Sequence, residues 1–378
     1  MIEKATLLIK DGVVIEAGEK VTIPKGATLY DLKSKNIYPS LIDIYSAYGM
    51  PEVKKTEPGR GRGPQMESNT KGAYGWNQAI KPETEGYKLF SADAKSAEEM
   101  CRHGFGSVLT FKKDGIARGS AVFVSLATQN ENETILKPQA AAMYSFSKGT
   151  SAQDYPSSLM GSIALLRQTY YDADWNKNKS ENEYNISLDA WNKIQSLPQI
   201  FEVTDKFSSL RADKIGDEFG IQYIIKGNGD EYQRIDDIKA TNALFILPLN
   251  FPAPFDVEDP YDAAMVSLAE MKNWEMAPLN PSSFEKKFIP FALTTDGLSD
   301  KKDFWKNLRK AIAYGLSETA ALKSLTFTPA EMLGLQDKIG SLKKGMLANF
   351  IITSGNLFDE KNSIYENWVQ GIQYILKD

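Results

Sequence analysis

The sequence predicts an α/β fold: a (β/α)8 TIM-like barrel with a small composite β-sandwich built from both ends of the chain. Three observations carry this reading. Eight short apolar runs recur through the middle of the 378 residues, helical patterns lie between several of them, and strand-rich segments flank the whole. Alternating strand and helix argue for a parallel sheet with helical crossovers, and eight strands suit a closed barrel. The boundaries fall at 1–39 and 336–378 for the two parts of the β domain and at 40–335 for the barrel.

The amino-terminal part reads as strands at 6–9, 13–15, 21–23 and 28–31, with turns at Asp11-Gly12 and at 24–26. The barrel runs lie at 41–45, 107–111, 121–126, 141–146, 200–204, 223–227, 243–249 and 291–295, and helical patterns at 92–102, 158–174, 209–219, 261–273 and 302–315. Residues 50–85, rich in Gly, Pro and charge, are expected to form a mobile loop over the barrel's C-terminal mouth. A second polar loop is expected at 175–183. Apolar stretches at 348–353 and 368–375 follow a turn at 340–345. Neither terminal segment buries two faces alone, so the two are expected to pair into one sheet system.

Composition narrows the function. The net charge of −5, with both signs interspersed, points to neither nucleic acid nor an anionic membrane as partner. Two short basic patches, Lys54-Lys55 and Arg60-Gly61-Arg62, read as a solvated loop. No apolar run approaches a membrane span, and no signal peptide opens the chain. The single cysteine, Cys101, permits no intrachain disulfide and reads as a buried thiol. The single histidine, His103, reads as a helix cap or a solvated side chain.

Four motifs carry a resemblance. They are Tyr-Pro-Ser-Leu-Ile-Asp at 38–43, Leu-Thr-Thr-Asp-Gly at 293–297, Thr-Phe-Thr-Pro-Ala-Glu-Met-Leu-Gly-Leu at 326–335, and Ile-Gly-Ser-Leu-Lys-Lys-Gly-Met-Leu-Ala-Asn-Phe at 339–350. With these, the chain resembles the amidohydrolase superfamily, in particular its imidazolonepropionase-like branch. The resemblance implies a barrel with a composite β-sandwich and hydrolysis of non-peptide C–N bonds. One or two divalent metals, zinc or another, would activate a water, with the last-strand aspartate as base.

The ligand positions depart from that pattern. The first-strand His-x-His positions fall on Tyr45 and Ala47, the fifth-strand histidine on Glu202 and the sixth-strand histidine on Gly227; only Asp296 persists in kind. These five residues are expected to gather at the barrel mouth. Asp296 is read as a relic, a strand-end carboxylate capping the following turn, or as a weak general base. As a relic it would be an unpaired charge whose removal raises stability. Glu202 is read as pairing with Lys206, Lys226 or water, or as sharing a hard cation with Asp296. Tyr45 reads as core-lining, or as a donor to a ligand. Gly115-Ile-Ala-Arg-Gly119 reads as a turn, being too short and irregular for a nucleotide fingerprint. The aromatic stretch 170–175 reads as lining the mouth or as packing a helix on the barrel.

The chain therefore reads as a catalytically degenerate amidohydrolase-like domain with no cofactor, serving as a scaffold or covering an active partner. The alternatives are an atypical C–N hydrolase built on Glu202 and Asp296, and a small-molecule binding module using the mouth. The ends at 8–15 and 366–374 resemble the amino-terminal unit of tandem bacterial amidohydrolase-like proteins. That resemblance implies a histidine-bearing second unit as partner, in cis or in trans, and a periplasmic setting if an upstream signal has been removed.

Overall fold

The computed structural model describes residues 2–54, 64–127, 130–179 and 183–376. Lys55, Arg60 and Arg62 of the basic patches lie outside the described residues, as do residues 180–182 of the expected polar loop.

Fourteen strands form three sheets among the described residues. The largest takes its strands in strict chain order: β4 (Leu41–Ser46), β5 (Phe105–Thr110), β6 (Ala117–Ser125), β7 (Ile135–Ser145), β8 (Gln199–Glu202), β9 (Ile224–Lys226), β10 (Leu244–Pro248) and β11 (Phe291–Thr294). All eight expected runs are strands of this barrel. Its interior is filled by side chains from every strand, among them Ile42, Leu109, Phe123, Met143, Ile200, Ile224, Ile246 and Ala292. The larger apolar layer lies between the strands and the surrounding helices.

One strand departs from the parallel pattern: β6 runs antiparallel to both β5 and β7. The chain lengths explain why. Only residues 111–116 separate β5 from β6, and among the described residues the segment from β6 to β7 holds a single short helix, Glu131–Thr134. A parallel return needs a dozen or more residues. The chain instead turns back directly, and the N-terminal end of β6 arrives where its neighbours bring their C-terminal ends.

The barrel's two edges meet through side chains. The buried carboxylate of Asp43 on β4 accepts from Thr294 Oγ1 at 2.6 Å, from the Thr295 backbone N–H at 3.4 Å and from the Thr295 hydroxyl. Thr294 Oγ1 also lies 3.1 Å from the Tyr45 carbonyl. Burial raises the pKa of Asp43 although these hydrogen bonds oppose it.

The terminal β system joins both ends. β1 (Thr6–Lys10) and β2 (Val13–Gly18) form a hairpin, while β3 (Asn36–Pro39), β12 (Phe350–Thr353), β13 (Ile364–Val369) and β14 (Ile372–Ile375) form a four-stranded antiparallel sheet. Val14, Ala348, Phe350, Ile352 and Trp368 make their shared core. The strands expected at 21–23 and 28–31 are irregular instead. Ile23, Leu29 and Tyr30 stay exposed there, so no buried face fixes a register. The strand that does pair with β12 is the unforeseen β3. It lies at the sheet edge, where Pro39 withholds no ladder hydrogen bond.

The described end of the expected 50–85 loop packs on the barrel. Ala79 and Ile80 are buried, and Ile80 and Glu85 bridge to Ala117 and Ser120 on β6. This stretch covers the wall that the missing crossover helices leave bare. The polar loop expected from 175 begins later, because the helix Leu159–Asn178 continues through it.

Asn367 ties the two parts of the molecule together. Its side chain is fully buried, donates to the carbonyls of Cys101 at 3.1 Å and Phe105 at 2.9 Å, and accepts from Ser40 Oγ at 2.8 Å. Asn367→Ala removes three buried hydrogen bonds, and although Cys101 keeps the Gly104 N–H and Ser40 can turn to the Trp368 carbonyl, each lost bond is worth about 1 kcal/mol. We expect a loss of at least about 2 kcal/mol in urea unfolding, and an unchanged midpoint would show that the two parts are not coupled here.

Candidate active site at the barrel mouth

At the mouth, three cations meet two carboxylates. Lys113 sits on the turn between β5 and β6, Arg118 at the start of the reversed strand β6, and Lys226 at the end of β9. Glu202 ends β8, and Asp296 lies just past β11. Arg118 donates to Glu202 at 2.7 Å and to the Tyr45 hydroxyl at 3.0 Å. Lys226 Nζ lies 2.7 Å from Asp296 and 3.8 Å from Glu202, and Lys113 also pairs with Asp296. Both ammonium groups approach the Tyr45 ring, at 4.7 and 5.2 Å from its centroid. That ring is fully buried and packs edge-on against Phe111 at 4.9 Å, forming the floor of the site.

Local structure fixes each cation. Arg118 is buried, and its Nε donates to the Gly115 carbonyl at 3.1 Å. The turn bearing Lys113 is held by Asp114, whose carboxylate takes Lys81 at 2.6 Å and the Thr150 backbone N–H at 2.7 Å. Lys226 is buried within its strand. Burial opposes ionisation of Glu202, but the charges of Arg118 and Lys226 outweigh it and hold the carboxyl below its ordinary range. Burial likewise opposes ionisation of Asp296, and Lys226 and Lys113 pull its pKa down. Burial pushes the Tyr45 phenol well above its usual value, so it stays protonated at neutral pH.

The structure brings Tyr45, Glu202 and Asp296 together at the mouth. Ala47 is exposed on the loop above them and lines a neighbouring cleft of about 700 Å³ with Tyr48, Met50, Lys113, Asp296 and Lys301. Gly227 follows Lys226, and a Cβ built on it would lie 2.2 Å from Glu231 Oε1. Glu231 is fully buried and fixed by the Asn228 N–H at 2.7 Å and Asn280 Nδ2 at 2.7 Å. The space a side chain at 227 would need is thus filled.

Several expectations need correction. Asp296 is not an unpaired charge and does not cap the following turn; its carboxylate is held by two lysines, so its removal should destabilise. Lys206 pairs with Asp230 at 3.1 Å and not with Glu202. Gly115–Gly119 is more than a turn, since it opens β6 and carries Arg118. Tyr170 of the aromatic stretch packs on Trp191 and Phe219, in keeping with the helix-packing alternative. His103 caps the helix Ala94–Arg102, as one reading had it. Cys101 is buried, and burial pushes its thiol up to about 12.

The resemblance implies a divalent metal, and the residues present do not fit one. Two carboxylates remain as donors, both already taken by cations. Among the described residues no group of three His, Cys, Asp or Glu side chains is placed to hold a metal ion. An ammonium or guanidinium has no lone pair to offer a metal and would repel it.

Sequence reasoning named Lys226 as a partner of Glu202, which it is at 3.8 Å, but missed Lys113 and Arg118. The signal available was weak: cationic residues at barrel-strand ends. Arg118 was hidden because it reaches the mouth only through the reversal of β6.

Lys226→Met should leave Glu202 and Asp296 undercompensated and cost about 3 kcal/mol at pH 7. The stability carried by these two carboxylates is present above their unfolded pKa near 4 and is lost as pH falls through their lowered folded values. The gap between variant and wild type should therefore narrow as pH drops from 7 into the carboxylate range. Urea titrations at several pH values read this directly, and a gap independent of pH would refute the ion-pair account.

Residues 263–375 match the model of the amidohydrolase family. No curated protein matches the chain. Among solved structures, an amidohydrolase from Thermotoga maritima is similar at 21% identity with a TM-score of 0.74, covering 98% of this chain and 94% of that one. A second amidohydrolase is similar at 14% identity and TM-score 0.56, covering 100% and 95%. A prolidase complexed with N-methylphosphonate-L-proline is similar at 13% identity and TM-score 0.56, covering 98% and 94%. The family match thus covers about the last third of the chain, and over nearly all of its length the chain is similar in fold to solved amidohydrolases.

Proposed function

We propose that this chain is a catalytically silent amidohydrolase-fold domain that acts as a scaffold, covering a histidine-bearing second unit of the same superfamily. The observation that supports it is the pairing of Lys113, Arg118 and Lys226 with Glu202 and Asp296 at the mouth. Fixed side-chain cations neutralise those carboxylates, but they can neither acidify a bound water nor act as a Lewis acid on a carbonyl. The atypical-hydrolase reading fares worse for the same reason. A carboxylate alone contributes about 10²–10⁴-fold as a general base, less when its pKa is driven down, and amide hydrolysis needs far more.

The test adds zinc, manganese or magnesium to wild type and to Asp296→Asn, with imidazolone, dipeptide and cyclic-amide substrates. We expect no turnover above background in either protein and bound metal well below one equivalent after dialysis. Metal-stimulated turnover that disappears in Asp296→Asn would overturn the proposal.

A second reading, a small-molecule binding module, is favoured by the cleft of about 700 Å³ beside the cluster. A thermal-shift screen should then find a ligand whose stabilisation is lost when Lys113 is changed to Ala; no hit, or a hit indifferent to Lys113, would remove this reading.

A further inference from the structure

The segment between β10 and β11 leaves the mouth end of the barrel and carries two helices, Pro260–Met265 and Leu268–Met276. Neither helix buries a single residue. A surface helix ordinarily keeps its apolar stripe on the core. Here the large apolar side chains face outward: Tyr261 is 85% exposed, Met265 84% and Leu268 71%, with Val257 and Met271 more than half exposed.

These side chains are not needed to hold the segment in place. Ser267 and Glu270 form a reciprocal capping box at the second helix. The Tyr232 hydroxyl donates to Asn273 Oδ1 at 3.2 Å, and Lys310 lies 5.9 Å from the Trp274 ring centroid. Polar contacts anchor the base, and the apolar face is left uncovered. Contiguous exposed apolar surface of this kind marks interaction sites.

Charge says what kind of partner fits. Asp256, Glu258, Asp259, Asp262, Glu270 and Glu275 surround the apolar residues, against the one cation Lys272. Among the described residues none of the six carboxylates is ion-paired; those that are engaged accept only backbone N–H groups or the Ser267 hydroxyl. A two-fold contact with a second copy would set these carboxylates against one another. An anionic lipid surface would be repelled. We infer that the 255–276 face is a docking surface for a basic amphipathic segment of another protein, its apolar side chains seated on Tyr261, Met265 and Leu268 and its Lys or Arg residues on the acidic rim. This deepens the scaffold reading and rests on it for the role of the partner, although the surface is argued independently of the barrel site.

The test uses the full chain and two synthetic helical peptides with the same leucine face, one flanked by lysines and the other by glutamates, followed by fluorescence anisotropy. The lysine-flanked peptide should bind at least tenfold tighter, and added salt should weaken it. Met265→Asp combined with Leu268→Asp should lower that affinity at least tenfold while leaving the melting temperature unchanged, since both side chains are exposed. Glu258→Lys combined with Glu275→Lys should shift preference toward the glutamate-flanked peptide. Equal binding of both peptides, or indifference to the variants, overturns the inference. So does a fall in melting temperature, which would mean the face packs on its own chain. A wild-type dimer in sedimentation that the aspartate variants dissolve overturns it in favour of a second copy. Every readout here is peptide binding, stability or self-association, so failure leaves the metal and turnover assay of the barrel site untouched.

Discussion

Everything at the mouth depends on the seam that Asp43 closes. Backbone ladders run from β4 through β11 but do not link those two edges, so the Asp43 carboxylate and the Thr294 and Thr295 side chains bring the first and last strands together. That seam sets the distance from Tyr45, two residues along β4, to Asp296, two residues past Thr294. A carboxylate bonded this many times in a dry environment is rigid, and the groups it positions inherit that rigidity.

In the cluster above the seam, side-chain cations neutralise the converging carboxylates. Converging carboxylates cannot remain ionised side by side without a counter-charge. Lys113, Arg118 and Lys226 supply it from three separate strand ends or turns. The site is electrostatically satisfied, and its ammonium and guanidinium groups are saturated donors. Glu231 fills the space where a side chain at 227 would stand, so that position is closed sterically as well.

Much of this was legible in the sequence. The eight barrel runs stand out because strands buried on both faces read as unbroken apolar stretches, and the closing pairing of both termini followed from segments too short to stand alone. Two things were hidden. The strands proposed at 21–23 and 28–31 had the right residue types but no face to bury, which periodicity in so short a run cannot reveal. Lys113 and Arg118 were hidden because a lysine or arginine at a strand end looks like surface until the topology is known. The resemblance put Tyr45, Glu202 and Asp296 at the mouth, where they meet, whereas Arg118 required knowing that β6 runs backwards.

The reversed strand also bears on how the chain assembles. β5, β6 and β7 form an antiparallel meander whose connections are among the shortest in the barrel. Closing such loops loses little chain entropy, whereas the contact from Asp43 to Thr294 spans 251 residues. A parallel barrel has few local pairings on which to begin; this one carries a ready hairpin nucleus at its third strand. Loop-closure entropy thus favours early pairing of the meander and late closure of the seam, and the ion cluster, which spans both, is complete only in the closed barrel.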